Sequence, residues 1–385
     1  MTVAALPVSY REPGRDVSDM LHQLRSAHLR TMPKISGTML SVGCAGTWYF
    51  DWIRDQAGHI GHHIGLEYYS PKPDDLPEHV EWIANTAANM SAVKSASCEL
   101  VFSGQNLEHL WPEEVVGFLE ECHRVLQDGG WLVIDSPNRL VTAPLNWSHP
   151  EHTVELTPVE ATMLATLAGF EVTEVAGLWL CRDPRSGEIL PLDPGDGEER
   201  WPRAERIAAA EKDPDNSFIW WLTARKRGEA RLEQLAATMH GIFAAAWEER
   251  KARFVSRRTK MTLNGEMVVR AEPGEDGPVI YGPYIPLRRG KYAVEFLVEA
   301  VGAADRNATT VICDVVGNGG RAIVSRSLTT SDLRRLAGLV RLEFELLEPE
   351  FGVQARCVSF GNSVVQCRLP IRIIEDAYTG RSFGG

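Results

Sequence analysis

The sequence predicts an α/β fold with a mostly parallel sheet, followed by an antiparallel β-sandwich. Residues 39–52, MLSVGCAGTWYFDW, pass from an apolar run through a glycine turn into an aromatic segment, as a strand, a tight turn and a helix would. Further apolar runs alternate with helical patterns as far as Lys226, which is typical of parallel strands joined by crossover helices. From Lys260 onwards apolar and polar residues alternate strictly, which indicates short antiparallel strands.

Seven strands are expected before Lys226. The first spans 39–42 and the second ends at Glu67. The other five span 79–84, 98–102, 131–134, 170–176 and 218–226, and the last of them is expected to be antiparallel. Residues 157–160 have the pattern of a capping box that opens a helix ending at Gly169. A helix at 16–32 either covers one end of a ligand pocket or only packs on the sheet.

The length of the chain predicts two domains. A chain of 385 residues with 44% apolar residues exceeds one typical domain and can form two sizeable cores. We predict a first domain at 1–228 with an insertion at about 178–215, a connecting helix at 229–258 and a sandwich at 259–385. The apolar face of the connecting helix either docks on a domain or pairs with a second copy in a homodimer.

Composition excludes several classes of function. The formal net charge of −12 argues against nucleic acid as a partner, because phosphate binding needs concentrated Lys and Arg. The seven cysteines are scattered, without a CxxC pair, which favours reduced thiols in the cytoplasm. No run of 18 apolar residues is present, so we expect no membrane span.

The glycine turn and Glu67 predict a nucleoside-containing cofactor. Small residues at a turn allow backbone N–H groups to approach a ligand, and an acidic residue ending the next strand can accept hydrogen bonds from a ribose diol. The turn Gly43-Cys44-Ala45-Gly46 lacks the third glycine of a dinucleotide site, so a cofactor without a pyrophosphate fits better. An ordinary turn without a cofactor is the alternative.

With VGCAG, IGLE, FSGQNLEHL and ECHRVLQDGGWLVIDSPN, the chain resembles the class I S-adenosylmethionine-dependent methyltransferases from Lys34 to Lys226. The resemblance implies a Rossmann-like domain with a seven-stranded sheet and S-adenosylmethionine as cofactor. Ser41 departs from it, because the family often has an acidic residue there. The cofactor-binding residues it implies are Gly43, Cys44, Ala45, Gly46, Glu67, Asn89, Met90, Ser103, Gly104 and Gln105.

Loops that follow strands four and five point to the acceptor side, because ligands lie beyond the carboxyl ends of strands. A hydroxyl acceptor needs a base, and a histidine suits neutral pH. We favour His109 or His152, oriented by Glu108 or Glu151, although a loop histidine is more often a surface residue. We predict no metal. The other candidates on this side are His149 for catalysis and Asn138, Arg139 and Trp147 for substrate binding.

Two more resemblances concern the acceptor. The order SPN, HPEH, a TPxE helix and AGFEV is similar to methyltransferases of surface-polysaccharide and O-antigen biosynthesis. YGPYIPLRRGKYAVEF resembles jelly-roll modules of bacterial glycan-assembly enzymes, which implies that Tyr281 and Tyr284 stack on sugars, unless the sandwich is structural. The implied function is O-methylation of a sugar hydroxyl of a surface glycan or its precursor. A small-molecule methyltransferase and a non-catalytic glycan-binding scaffold are the alternatives.

Overall fold

The computed structural model describes residues 15–145, 147, 149–193, 201–263, 265–302 and 307–375. These residues form two compact units. The N-terminal unit contains the described residues up to 147 together with 153–245, and the C-terminal unit contains 149–152 together with those from 246 to 375. The two units divide between residues 245 and 246, inside a helix, and the short segment 149–152 belongs to the C-terminal unit. The domain boundary predicted at 228 stays a prediction.

The N-terminal unit is built on a seven-stranded sheet in the order β3-β2-β1-β4-β5-β7-β6. Neighbouring strands from β3 to β5 are parallel, and β7 runs antiparallel to β5 and β6. The predicted α/β fold with a mostly parallel sheet and an antiparallel last strand is therefore confirmed. Its strands are β1 (Thr38–Val42), β2 (His62–Glu67), β3 (Val80–Ala84), β4 (Cys98–Gly104), β5 (Leu126–Pro137), β6 (Phe170–Leu180) and β7 (Ser217–Lys226).

Helices connect these strands and cover them. Thr157 and Glu160 exchange the two hydrogen bonds of the predicted capping box at the start of one of them. The helices are α1 (Arg15–Thr31), α2 (Gly46–Ala57), α3 (Pro112–Val125), α4 (Arg139–Thr142), α5 (Pro158–Leu167), α6 (Arg203–Ala210) and α7 (Leu232–Lys251), with short 3-10 turns at Leu107–His109 and Pro214–Asn216.

The first helix packs on the second. Met20, Leu21 and Leu29 of α1 are buried in the core that includes Phe50 and Trp52 of α2. The indole N–H of Trp52 also donates to the hydroxyl of Ser26 at 2.8 Å. The helix predicted at 16–32 therefore exists and is held both by apolar packing and by a buried hydrogen bond.

The predicted insertion packs onto the edge strand β6. Arg206 of α6 is fully buried, its guanidinium lies 3.9 Å from the ring centroid of Trp179, and its Nε donates to the carbonyl of Leu180. A cation over an indole and carbonyl acceptors together offset the desolvation of the guanidinium. Residues 194–200 of the predicted insertion lie outside the described part of the chain.

The C-terminal unit is a sandwich of two antiparallel sheets, as predicted. One has the order β10-β15-β12-β13 and the other β14-β11-β16-β9-β8, and apolar side chains of both form one core. A short helix, α8 (Thr330–Arg335), follows β13. The strands are β8 (Thr259–Leu263), β9 (Glu266–Ala271), β10 (Asp276–Leu287), β11 (Gly290–Val301), β12 (Thr309–Val316), β13 (Ala322–Thr329), β14 (Leu339–Leu346), β15 (Glu350–Phe360) and β16 (Val364–Glu375).

The connecting helix α7 contributes to both units. Leu235 and Met239 are fully buried in the N-terminal unit, and Phe243 lies beside Trp111 there, with ring centroids 5.8 Å apart. The structure thus uses part of the apolar face for packing within the chain. Among the described residues, no helix has the length and apolar character needed to cross a bilayer.

Candidate functional site

A cleft opens at the carboxyl ends of the parallel strands of the N-terminal unit. It is lined by residues 42–43, 66–69, 85–87, 106, 109–110 and 114. These residues follow β1, β2, β3 and β4, which stand side by side in the sheet. The cleft therefore lies where open α/β sheets bind their ligands.

The glycine turn between β1 and α2 forms one wall of the cleft. Gly43 has φ +79° and Gly46 has φ +72°, in the left-handed region that favours glycine. The amide of Gly43 donates to the carbonyl of Leu66 at 2.9 Å, which fixes the turn against the end of β2. Ala45 is the N-cap residue of α2, and its side chain makes no capping hydrogen bond. The first backbone N–H groups of α2 are therefore not capped by the side chain of the N-cap residue.

A methyl group at Gly43 would collide with a neighbouring loop. A Cβ there would lie 2.9 Å from three side-chain atoms of Asn106, whereas a Cβ at Gly58, with φ +90°, would have no atom within 4 Å. Gly58→Ala therefore carries only the backbone strain, about 1–2 kcal/mol, and Gly43→Ala adds an overpacking cost of about 1–3 kcal/mol. Urea unfolding of both variants measures the difference, and equal midpoints would show that Asn106 moves aside freely.

Glu67 ends β2 and lines the cleft. Its Oε1 accepts hydrogen bonds from the backbone N–H groups of Tyr69 at 2.7 Å and Ser70 at 3.0 Å. Within the described part of the chain Oε2 has no hydrogen-bond partner, and the residue lines the cleft although it is only 9% exposed. One carboxylate oxygen is thus fixed by the loop while the other remains for a ligand.

The end of β3 differs from the prediction for Asn89 and Met90. Asn85, Thr86 and Ala87 line the cleft instead. Met90 is fully buried, and its backbone N–H donates to Glu121 of α3 at 2.7 Å. The cleft-lining position lies three to four residues earlier because the chain turns into the core at Met90.

Ser103 ties the ends of two strands together. It is fully buried, and its hydroxyl donates to the carbonyl of Val42 at 3.3 Å and accepts from Asn106 Nδ2 at 3.1 Å. Its side chain therefore supports the wall of the cleft and positions Asn106, which lines it.

Gln105 and Gly104 belong to a charged cluster at the ends of β4 and β5. Gln105 Nε2 donates to Asp135 Oδ1 at 2.7 Å, and Arg25 Nε of α1 donates to Oδ2 at 3.0 Å. Gln105 has φ +55°, and its backbone N–H also donates to the carbonyl of Asp135. The side chain of Gln105 therefore holds a carboxylate in place.

Glu108 and His109 form a short turn after β4. His109 lines the cleft, whereas Glu108 is buried and accepts a hydrogen bond from the hydroxyl of Ser136 at 2.9 Å. Burial, with smaller effects of Asp135 and Glu155, raises the pKa of Glu108 to about 8. The carboxyl group of Glu108 is therefore protonated at neutral pH and can donate a proton.

Asn138 and Arg139 are engaged by the protein itself. Asn138 is fully buried, and its amide donates to three backbone carbonyls between residues 214 and 217. Arg139 donates to the carbonyl of Glu155 and to the carboxylate of Glu160. Both side chains anchor the loop after β5. The full burial of Asn138 corrects the expectation that it faces a substrate, whereas substrate binding by Arg139 stays a prediction.

The remaining predicted residues lie farther along the chain. Trp147 packs its ring against Phe218 in the N-terminal unit, with centroids 5.1 Å apart. His149 and His152 stack on each other in the C-terminal unit, with centroids 4.5 Å apart, and Arg250 donates to the carbonyls of both.

Two aromatic residues of the sandwich are enclosed. Tyr281 and Tyr284 are 5% and 2% exposed and meet edge to face, with ring centroids 6.3 Å apart. A sugar can stack only on an accessible ring face. The burial of both rings therefore corrects the expectation that they bind sugar.

Two groups near the turn are inert. Burial raises the pKa of the Cys44 thiol well above its usual value, so Cys44 acts as a small apolar residue of the turn. Burial also lowers the pKa of His63 to about 3, and its Nε2 lies 2.8 Å from the hydroxyl of Ser41. His62 points the other way, to Glu81, as strand alternation requires.

Sequence reasoning did not identify several residues around the cleft. Tyr68 and Tyr69 are 62% and 81% exposed and line it directly after Glu67. Their position next to an acidic strand end was a usable signal. Arg25 and Asp135 carried no such signal, because they lie 110 residues apart and meet only in the fold.

The sheet order, the glycine turn and the acidic end of β2 define a Rossmann-like fold with a mostly parallel sheet. Residues 40–134 match the model of a family described as methyltransferase domain. The match runs from within β1 to within β5 and includes every residue that lines the cleft.

Two curated relatives match over 145 residues. A probable S-adenosylmethionine-dependent methyltransferase of Mycolicibacterium smegmatis is 32% identical, covering 37% of this chain and 54% of the relative. One of Mycobacterium tuberculosis is 38% identical, covering 37% and 51%. The chain thus spans about half the length of these relatives. A solved S-adenosylmethionine-dependent methyltransferase from Archaeoglobus fulgidus superposes with a TM-score of 0.38 at 20% identity, covering 53% of this chain and 94% of that one.

Proposed function

We propose that this chain is an S-adenosylmethionine-dependent methyltransferase whose cofactor binds in the cleft of the N-terminal unit. The observation that carries the proposal is Glu67, which lines the cleft with one carboxylate oxygen fixed by its loop and one without a partner among the described residues. The match of residues 40–134 to a methyltransferase domain supports it.

The residues around the cleft fit an adenosine. The free oxygen of Glu67 can accept hydrogen bonds from a ribose diol, as an acidic residue at this strand end does in related sheets. A Cβ at Gly43 would fill the space beside Asn106, so glycine keeps the wall open where the ligand passes. Asn85 and Asn106 also line the cleft with polar side chains.

When bound, S-adenosylmethionine supplies a methyl group activated by its sulfonium charge. The protein must then align the acceptor and remove its proton. His109 lies at the edge of the cleft, next to the buried Glu108. We assign His109 as the base in this unit and keep His152 as the second candidate. Glu108 supports this turn through its hydrogen bond from Ser136.

We further propose that the acceptor is a sugar hydroxyl of a surface glycan or its precursor. The net charge of −12 supports an acceptor that is neutral or cationic, and the motif order of the loop and helix after β5 supports a glycan. A homodimer, a jelly-roll topology of the sandwich and a cytoplasmic location stay predictions.

Formation of S-adenosylhomocysteine by the 385-residue chain tests the proposal. The acceptors compared are surface-polysaccharide fractions, free monosaccharides and non-sugar phenols or amines. Methyl transfer to a sugar hydroxyl supports the proposed function. Transfer only to non-sugar acceptors would refute the glycan assignment, whereas cofactor binding without any turnover would favour a scaffold. A protein that binds neither S-adenosylmethionine nor its demethylated product is not a methyltransferase.

A further inference from the structure

A buried ion pair lies at the carboxyl ends of β4 and β5, beside the glycine turn. Asp135 is fully buried, and both of its carboxylate oxygens accept hydrogen bonds, from Arg25 Nε and from Gln105 Nε2. The carboxylate is thus already satisfied by the protein. Its effect is to fix the guanidinium of Arg25 in one orientation.

That guanidinium has donors to spare. In the part of the chain that the structure describes, Arg25 uses only its Nε, although its side chain is just 14% exposed. The group lies 5.1 Å from the ring centroid of Trp52, and Nη2 lies 2.4 Å from the position that a Cβ on Gly104 would occupy. Only a glycine at 104 lets Arg25 approach the strand end so closely.

The guanidinium of Arg25 lies at the end of β4 that adjoins the glycine turn. Gly104 follows Ser103, which pairs in register with Val42, and Val42 precedes Gly43 of the turn. Tyr49 of α2 lies in the same region, because Arg25 and Asp135 act on it electrostatically.

We propose that Arg25 binds the carboxylate of the methionine part of the cofactor, an inference that rests on the proposed function. A guanidinium and a carboxylate match in shape and charge and pair through two parallel hydrogen bonds. Asp135 and Gln105 are positioning residues that hold Arg25 in place. Ser41 does not supply a charge at this end, because it is neutral and its hydroxyl pairs with His63.

Calorimetric titration with two ligands tests this role. S-adenosylhomocysteine carries the amino-acid carboxylate, whereas 5′-methylthioadenosine has the same adenosine without it. For Arg25→Gln we expect about 10–100-fold weaker binding of S-adenosylhomocysteine and a change of less than about 3-fold for methylthioadenosine. Arg25→Lys, which keeps the charge, should lose less.

Ser26→Ala is the matched control on the same helix. It removes the hydrogen bond from Trp52 that holds α1 on α2 and leaves the charge of Arg25 in place. The ratio of the two affinities should stay as in the wild type. Because Arg25→Gln leaves Asp135 buried without its cation, the double variant Arg25→Gln, Asp135→Asn is measured as well, and it should show the same selective loss.

The outcomes separate the two proposals. If Arg25→Gln and the double variant weaken the binding of both ligands equally, or of neither, Arg25 does not bind the carboxylate, while the proposed function stands. The same holds if Ser26→Ala reproduces the selective loss, since docking of α1 would then be the cause. If the wild-type protein binds neither ligand, the proposed function itself fails.

Discussion

Replacement of Glu67 by alanine is expected to weaken binding of S-adenosylmethionine by about 100-fold. The carboxylate lies at the end of β2, and its Oε1 is already held by the N–H groups of Tyr69 and Ser70. The second oxygen therefore needs little ordering when it accepts hydrogen bonds from a ribose diol. Calorimetric titration of the variant measures the loss.

Glu67→Gln separates the ligand contact from the support of the loop. Its amide oxygen can still accept from Tyr69 and Ser70, but its amide nitrogen is a donor and opposes the diol hydroxyls. We expect the affinity to fall nearly as far as in Glu67→Ala, while the urea midpoint stays close to the wild type. Glu81→Gln, on the exposed side of β3 beside His62, is the control and should change neither quantity.

Affinity for methylthioadenosine provides a second check. This ligand retains the ribose, so Glu67→Ala should weaken the binding of methylthioadenosine as much as the binding of S-adenosylhomocysteine. Arg25→Gln, in contrast, should weaken mainly the binding of S-adenosylhomocysteine. Unchanged affinity of both Glu67 variants would remove the observation on which the proposed function depends. The cleft would then belong to a fold that has lost, or never had, an adenosine site.

The sequence predicted the parts of the site that are local in the chain. The strand, the turn at Gly43 and the helix follow each other within 20 residues, and each is determined by neighbouring residue types. Glu67 was found in the same way, because it ends a short apolar run. In a parallel sheet the carboxyl ends of neighbouring strands lie side by side, so the sequence places Glu67 beside Gly43.

Positions that depend on distant contacts were not predictable. Met90 turns into the core because Glu121, 31 residues later, accepts its backbone N–H, so the cleft is lined by Asn85 to Ala87 instead. Asn138 binds carbonyls 76 to 79 residues away. A pattern within one segment contains no information about such partners, and polar residues after a strand then look like ligand-binding residues.

The sandwich shows the same limit. Alternation predicted its strands, and both sheets share the apolar core that the alternation implies. It could not show which of the outward positions are covered, and Tyr281 and Tyr284 proved to be enclosed. Alternation separates the two faces of a strand but does not show what covers either face.

The stability of the protein is expected to fall as the pH rises from about 4.5 to 8, because of Glu108. Burial raises its pKa from 4.5 to about 8. Below pH 4.5 both the folded and the unfolded chain hold the proton, and between 4.5 and 8 only the folded chain does. The free energy of unfolding therefore decreases through this interval and levels off above it.

Glu108→Gln removes this dependence, because an amide stays neutral and can still accept from the hydroxyl of Ser136. Its free energy of unfolding relative to wild type should rise between pH 5 and pH 8.5 by on the order of 2–4 kcal/mol. Urea unfolding at both pH values measures this. The neighbouring acids Asp135 and Glu155 add to the upward shift, so they remain unchanged in the comparison.

Glu121→Gln is the matched control for this titration. A hydrogen bond from Arg124 lowers the pKa of Glu121, so its contribution is present above pH 4.5 and is lost only as the pH falls below that value. The difference in free energy of unfolding between Glu121→Gln and wild type should therefore stay nearly constant between pH 5 and pH 8.5. If the free energies of unfolding of Glu108→Gln and wild type changed in parallel with pH, Glu108 would be ionised in the folded protein. Its carboxylate could then act as a base next to His109.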